Sequence, residues 1–308
     1  MKTRHAILIA AILAPWTAAC GSADEPQPAP ETPVYEPTVH TYSAPASGIF
    51  ANAYLVETEN GVVAIDATLT VSDAKALREQ VDALGKPLLA VLLTHGHPDH
   101  YNGVTDLLNG ADVPVLSTSG VDQVIRADDA AKEVQWKPVF AAEWPAKRTF
   151  PSRIVEDGET VTFDGVSLTV HDLGPGESHF DSYWILETGT RAAFIGDVAF
   201  HDMHSYMSDG HSSEWLSHLD ELQAGLSGVT ILYPGHGAPG SAELFDQERE
   251  YIQLYRQTVG ELAQGEATLT EASKMELMTT MKAHLPTDSL DFLIQLGADP
   301  IASELLAE

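Results

Sequence analysis

Cysteine is all but missing from this chain: Cys20 is the only one in 308 residues. No internal disulfide can form, so stability has to come from the core, and no thiolate in the body of the chain can serve as metal ligand or nucleophile. Basic residues are scarce too, with 16 Lys and Arg against 45 Asp and Glu and a formal charge of −29. Such a surface repels nucleic-acid phosphates and anionic lipid headgroups and favours solubility, which excludes a nucleic-acid substrate. The apolar stretch Ala6–Ala14 falls short of the roughly 20 residues that a membrane-spanning helix needs.

That stretch has a different reading. Lys2 and Arg4 precede it, and Thr17-Ala-Ala-Cys20-Gly21 follows it. A basic start, a short apolar core and small residues at a boundary make a secretory signal over residues 1–20. Cys20 stands where a bacterial lipoprotein carries its acylated cysteine, so the expectation is export to the periplasmic side of a bacterial membrane with lipidation at Cys20. Ordinary cleavage near Ala19 is the alternative, and it also takes the protein out of the cytoplasm. Residues 21–38 are rich in Pro, Ala and Glu, with prolines at 26, 28, 30, 33 and 37. They cannot bury enough apolar surface to fold and are expected to form a disordered tether.

The rest is long enough for one large layered domain. Strand-like runs at 53–56 and 62–65 precede a segment of helical spacing, Thr70 to Leu84, closed by Gly85. The apolar run Leu88–Leu93 reads as a buried strand, 102–108 as a short helix, Pro114–Ser117 as a strand and 121–132 as a helix. Short strands with hairpin chemistry follow at 153–155, 160–163 and 166–170, turning at Asp164-Gly165. Further strands are expected at 183–186, 192–195 and 229–233, with a helix over 214–226. Two strand-rich halves, each with helices, predict an α/β sandwich of sheets flanked by helices. Beyond residue 240 the apolar spacing becomes helical again, through Leu244, Tyr251, Tyr255 and Leu262 and then Met275 to Met281 and Phe292 to Leu296. A helical extension over 241–308, with Thr270 and Thr287 as N-caps and its methionines as core filler, is expected to pack on a catalytic domain spanning 39–240.

The segment Thr94-His-Gly-His-Pro-Asp-His100 is the most informative in the chain. His95, His97, Asp99 and His100 follow the apolar run directly. Neutral imidazole and carboxylate suit Zn²⁺ and its neighbours among divalent metals. Groups packed so tightly cannot all reach one tetrahedral ion, so the segment points to two adjacent metal sites. The end of a buried strand is also where open α/β sheets place their chemistry. Candidate ligands recur at three more strand ends: His179 in the glycine-rich loop 174–182, Asp197 after Ala193-Phe-Ile-Gly196, and His236 in Pro234-Gly-His-Gly237.

With His95-x-His97-x-Asp99-His100, His179, Asp197 and His236 in that order, the sequence resembles the metallo-β-lactamase superfamily over about residues 45–240. The resemblance implies a four-layer αββα sandwich of two mixed β-sheets flanked by helices. It implies one metal site of His95, His97 and His179, a second of Asp99, His100 and His236, and Asp197 bridging two Zn²⁺ ions. Asp99 and Asp197 are then the catalytic carboxylates, and Asp66 supports the centre without binding metal. The activity implied is a zinc hydrolase that cleaves a small ester, lactone or amide with a hydroxide held between its ions. Without a second cysteine, the β-lactamase branches that use one as ligand are excluded. Phe200 stands where acyl-homoserine lactonases tend to carry tyrosine, and no basic patch for glutathione is evident. Amide hydrolysis of the β-lactamase type, a sulfur dioxygenase with one Fe²⁺ and a non-catalytic metal-binding protein are the alternatives. Phe200, His201 and His204 after Asp197, and Trp136 before it, are candidate contacts to a small-molecule substrate.

Overall fold

The computed structural model describes residues 35–308; the expected signal segment with Cys20, and tether residues 21–34, lie outside the described residues. The first sheet contains β1 (Thr38–Ser43), β2 (Asn52–Glu57), β3 (Val62–Ile65), β4 (Leu88–Leu92), β5 (Val115–Thr118) and β6 (Arg153–Val155), in that spatial order. β1, β2 and β3 pair antiparallel, and β3 to β6 parallel. The second sheet runs β11-β10-β9-β8-β7, from β7 (Thr160–Phe163), β8 (Val166–Gly174), β9 (Asp181–Leu186), β10 (Ala192–Gly196) and β11 (Ile231–Pro234), with only β10 and β11 parallel. Helices α1 (Val71–Ala83), α2 (Pro98–Tyr101), α3 (Val104–Leu108) and α4 (Ser119–Phe140) belong to the first half. Helices α5 (Ser212–Gly225), α6 (Glu243–Ala263), α7 (Glu271–His284), α8 (Phe292–Leu296) and α9 (Ala298–Ala307) belong to the second. The fold is the expected α/β sandwich of two mixed sheets flanked by helices.

Alternation along the central strands explains the layers. In β2, Ala53 and Leu55 pack toward α1 with Leu77 and Val81, whereas Tyr54 and Val56 face the other sheet. In β10, Phe194 points into the space between the sheets, where Trp184 and Leu168 also lie. Its neighbours Ala193 and Ile195 point to Trp215, Phe245 and Ile252 on α5 and α6. Strands covered on both faces must be apolar at every position, which is why Leu88–Leu93 reads as an unbroken run. The C-terminal helices pack on this second face: Tyr255, Leu277, Met281 and Ile301 are buried in the same cluster.

Several boundaries differ from expectation. Residues 35–38 belong to the folded body, because Glu36 accepts a hydrogen bond from the Thr190 amide at 2.7 Å and β1 starts at Thr38. The helix expected over 121–132 continues to Phe140 despite Pro138. Thr70 and Thr270 do cap α1 and α7, accepting from the amides of Asp73 and Ser273, but α8 is capped at Asp291 rather than Thr287. Met275 is exposed on α7 and fills no core. Among the described residues, no helix is long and apolar enough to cross a membrane.

Candidate metal centre and its pocket

The chain brings its ligand-type side chains together at one end of the two sheets. β4 leads into His95 and His97, and α2 begins at Pro98, so Asp99 and His100 sit in its single turn. The β8–β9 loop delivers Glu177, the end of β10 delivers Asp197, and the end of β11 delivers His236. Two groups result: His95, His97, Glu177 and Asp197, and Asp99, His100, Asp197 and His236. Within each, the ligand atoms lie within 4.8 Å of one another, and every residue is buried. Asp197 belongs to both. Its Oδ1 lies 3.3 Å from His100 Nε2, and its Oδ2 lies 3.3 Å from His236 Nε2 and 3.9 Å from His95 Nε2.

Hydrogen bonds behind the centre aim each imidazole. Asp66, held at a φ of 61°, accepts from the Thr94 amide at 2.9 Å and the Thr94 hydroxyl at 2.8 Å. His100 Nδ1 donates to the same carboxylate at 2.9 Å, leaving Nε2 for the centre. With its hydroxyl hydrogen committed to Asp66, Thr94 accepts from His95 Nδ1 at 3.1 Å, which frees His95 Nε2 in the same way. His97 is reversed: Nε2 donates to Asp209 at 3.1 Å, and Nδ1 faces Glu177 at 3.1 Å. Carboxylates and hydroxyls that fix imidazole orientation in this manner are usual behind metal ligands.

Whether these residues suit a metal can be tested on their unsatisfied atoms. His95 Nε2, His100 Nε2, Asp197 Oδ1 and both Glu177 carboxylate oxygens are buried without any hydrogen-bond partner. Buried polar atoms are rarely left so, and lone pairs that converge without donors fit divalent cations. Protonation shows the same demand for positive charge. Burial pushes His95 well down, keeping it a neutral ligand. Burial also opposes charge on His97 and His236, yet carboxylates outweigh it: Glu177 and Asp209 bring His97 to about 10, and Asp197 and Asp99 bring His236 to about 9. Asp197 is held well below the usual carboxylate range, its burial overcome by His236 and His100.

Backbone proximity also shapes the centre. A side chain on Gly235 would run into the Asp197 carboxylate and come within 2.7 Å of the His100 ring, so only glycine lets β11 pass this close.

The structure corrects one expected ligand. His179 is about half exposed, pairs with His211 at 2.9 Å and belongs to neither group. Glu177 lies where His179 was expected. The reason is a tight turn in the loop: Ser178 donates its hydroxyl to Asp181 at 2.5 Å, and the Phe180 amide donates back to Ser178 at 3.2 Å. That turn directs Glu177 inward and His179 outward. The signal available in the sequence was a carboxylate directly after Pro175-Gly176, a competent ligand type that a search for histidine passes over.

A cavity of about 520 Å³ opens over the centre, with His97, Asp99, Glu177, Asp197 and His236 at its base. Of the expected substrate contacts, Phe200 and Trp136 line it, and Phe200 stacks on His236 with centroids 5.1 Å apart and planes 4° apart. His201 and His204 do not. His201 Nδ1 donates to the Ala238 carbonyl at 2.6 Å. His204 is fully buried, bridging the Tyr251 hydroxyl and the Thr287 carbonyl at 3.2 Å each, and packing rather than substrate fixes it. Lys132 went unread in the sequence, as did the bracing roles of Tyr206 and Asp209 behind His97. Tyr206 packs edge-on against His97 and donates to Asp209 at 3.1 Å, while Lys132 donates to Tyr206 at 3.4 Å.

Comparison with known proteins gives a consistent picture. The family model described as the metallo-beta-lactamase superfamily matches residues 46–236. The chain is 33% identical over 151 residues to the uncharacterized protein YobT of Bacillus subtilis strain 168, covering 48% of this chain and 61% of that one. It is 27% identical over 183 residues to a hydroxyacylglutathione hydrolase of Aeromonas hydrophila, 59% of each. The chain thus spans about three fifths of the length of these two curated relatives. Among solved structures, a metallo-beta-lactamase family protein of Thermus thermophilus superposes with a TM-score of 0.61 at 20% identity, covering 87% of this chain and 93% of that one. At that identity the likeness is one of fold.

Proposed function

The chain belongs to the metallo-beta-lactamase superfamily, and from that premise we propose that it is a dinuclear zinc hydrolase acting on a small ester, lactone or amide. The observation that carries this reading is the pair of buried ligand groups sharing Asp197 at the base of a cavity. His95, His97 and Glu177 would hold one ion and Asp99, His100 and His236 the other, with Asp197 reaching both. Two bound divalent ions supply Lewis acidity toward a carbonyl and an acidified water.

The remaining work falls to the protein. Asp99 faces the cavity, and although burial opposes its charge, His100 and His236 hold it well below the usual range, so it is ionised. It is the carboxylate placed to take a proton from the attacking water and return it to the departing oxygen or nitrogen. Water adds to the carbonyl carbon, the C–O or C–N bond breaks, and the proton ends on the leaving group. Asp66 and Asp209 keep the imidazoles aimed, and Tyr206 braces Asp209. The apolar walls exclude bulk water and so strengthen these charges.

The test is metal analysis of the purified protein with a hydrolysis screen of esters, lactones and β-lactams. Two zinc ions per chain and turnover that disappears in Asp99→Asn are expected. One iron with oxygen consumption would overturn the reading. From the N-terminal sequence we also propose export with anchoring through Cys20: labelled fatty acid should enter the parent and not Cys20→Ser, and its absence from both would leave a cleaved, unanchored protein.

A further inference from the structure

The walls of the cavity are unlike its base. One part is built by Trp136, Val139 and Phe140 from the last turns of α4, another by Leu290, just before α8, with Phe292 and Leu293 from its first turn. Ile49, Leu69 and Phe200 complete the lining between them. The last turns of α4 send no side chain into the core: those α4 buries are Val121 and Ile125, near its N-terminus, whereas Trp136 and Phe140 stay half-buried, packed on each other and, through Phe140, on Trp144. Val139 and Phe292, both on the lining, are 66% and 45% exposed. Apolar side chains held in solvent on both rims of one cleft, continuous with a catalytic base, mark a surface that a ligand covers.

Charge narrows the ligand further. Lys132 is the only ammonium on this lining, and it is engaged with Tyr206, 3.4 Å from its hydroxyl and 5.4 Å from its ring centre, beside His97 rather than along the walls. No arginine lines the cavity among the described residues. An anionic or zwitterionic substrate body would therefore lose its hydration along the walls without an ion-pair partner. Glu177 adds to this, because a carboxylate in place of an imidazole makes the loaded centre less attractive to anions.

We propose that the substrate carries an extended apolar acyl chain, held between the end of α4 and residues 290–293 with its scissile carbonyl over the metal centre. This rests on the hydrolase reading above. Each methylene that enters the cleft should raise kcat/KM about fourfold, the factor equivalent to roughly 0.8 kcal/mol per buried CH₂.

The experiment pairs turnover with binding. The zinc-loaded full chain is assayed on a homologous ester series from acetyl to dodecanoyl and on a hydroxyacyl glutathione thioester. Metal-stripped protein is titrated calorimetrically with decanamide and with acetamide. A rise in kcat/KM with chain length, decanamide binding without acetamide binding, and loss of both in Phe140→Ser and Phe292→Ser at unchanged melting temperature are expected. Ester turnover that is flat with chain length, or faster turnover of the glutathione thioester than of the decanoyl ester, would overturn the proposal and leave the hydrolase reading standing. Decanamide binding without turnover of any ester, lactone or β-lactam would overturn the hydrolase reading and support the apolar cleft.

Discussion

Glu177 adds a carboxylate to the His95–His97 ligand group, and with metal bound there it would subtract one positive charge relative to an imidazole. Glu177→Gln should therefore lower bound metal by about one ion per chain in elemental analysis, whereas His179→Ala, at an exposed position, should keep full metal content and shift stability by no more than about 0.5 kcal/mol. Behind the ligands, Asp209 fixes the His97 ring and is itself held well below the usual carboxylate range, its burial outweighed by His97. Asp209→Asn should weaken metal affinity about 10- to 100-fold, read by competition with a chromophoric chelator. At this scale the sequence was legible where ligands are neighbours: His95, His97, Asp99 and His100 leave a single strand end together. It was opaque in the β8–β9 loop, where the Ser178–Asp181 turn decides which of two nearby ligand types faces inward. His204 shows the same limit from the other side, since nothing local distinguishes a buried brace from a substrate contact.

Elements carry their own signals and their own costs. Thr70 caps α1, and the Asp73 it meets also accepts from Tyr42 on β1 at 2.8 Å, tying helix to strand. Thr70→Ala should cost about 1 kcal/mol in denaturant unfolding. Helix α6 buries Glu248, whose carboxylate accepts from the Phe200 amide at 2.9 Å. Burial raises Glu248 to about 8 from an ordinary 4.5. The folded state therefore keeps a proton that the unfolded chain has lost between these values, so the contribution is complete below pH 4.5 and gone above about 8. Stability should fall as pH rises through that window, and Glu248→Gln should flatten the slope in melting temperatures recorded at constant metal. Periodicity found most strands and long helices because both faces of the sheets are covered. It missed only the helical state of the last turns of α4, where Trp136, Val139 and Phe140 face a cleft rather than the core and so break the amphipathic pattern.

Taken whole, the molecule is a strongly acidic body with two buried groups of metal-ligand side chains at one end of its sheets. With a net charge of −29, self-repulsion is relieved by screening, so added NaCl should raise the melting temperature. A metal that binds only the native state stabilises by about 2.7 kcal/mol per site at a hundredfold above Kd, so zinc added to the stripped protein should raise stability by that amount in calorimetry and chelation should remove it. By itself the sequence determined the sandwich of sheets and the first cluster of metal-ligand side chains, because two-sided burial and ligands that are neighbours at a strand end are local patterns. It also excluded disulfides and a thiolate ligand. Only the tertiary structure decided that Glu177 rather than His179 joins the ligand groups, that His204 is a buried brace, and that the end of α4 and residues 290–293 line one apolar cleft. Those outcomes depend on which surfaces meet when segments far apart in the chain pack together, and no spacing along a single strand or helix encodes that meeting.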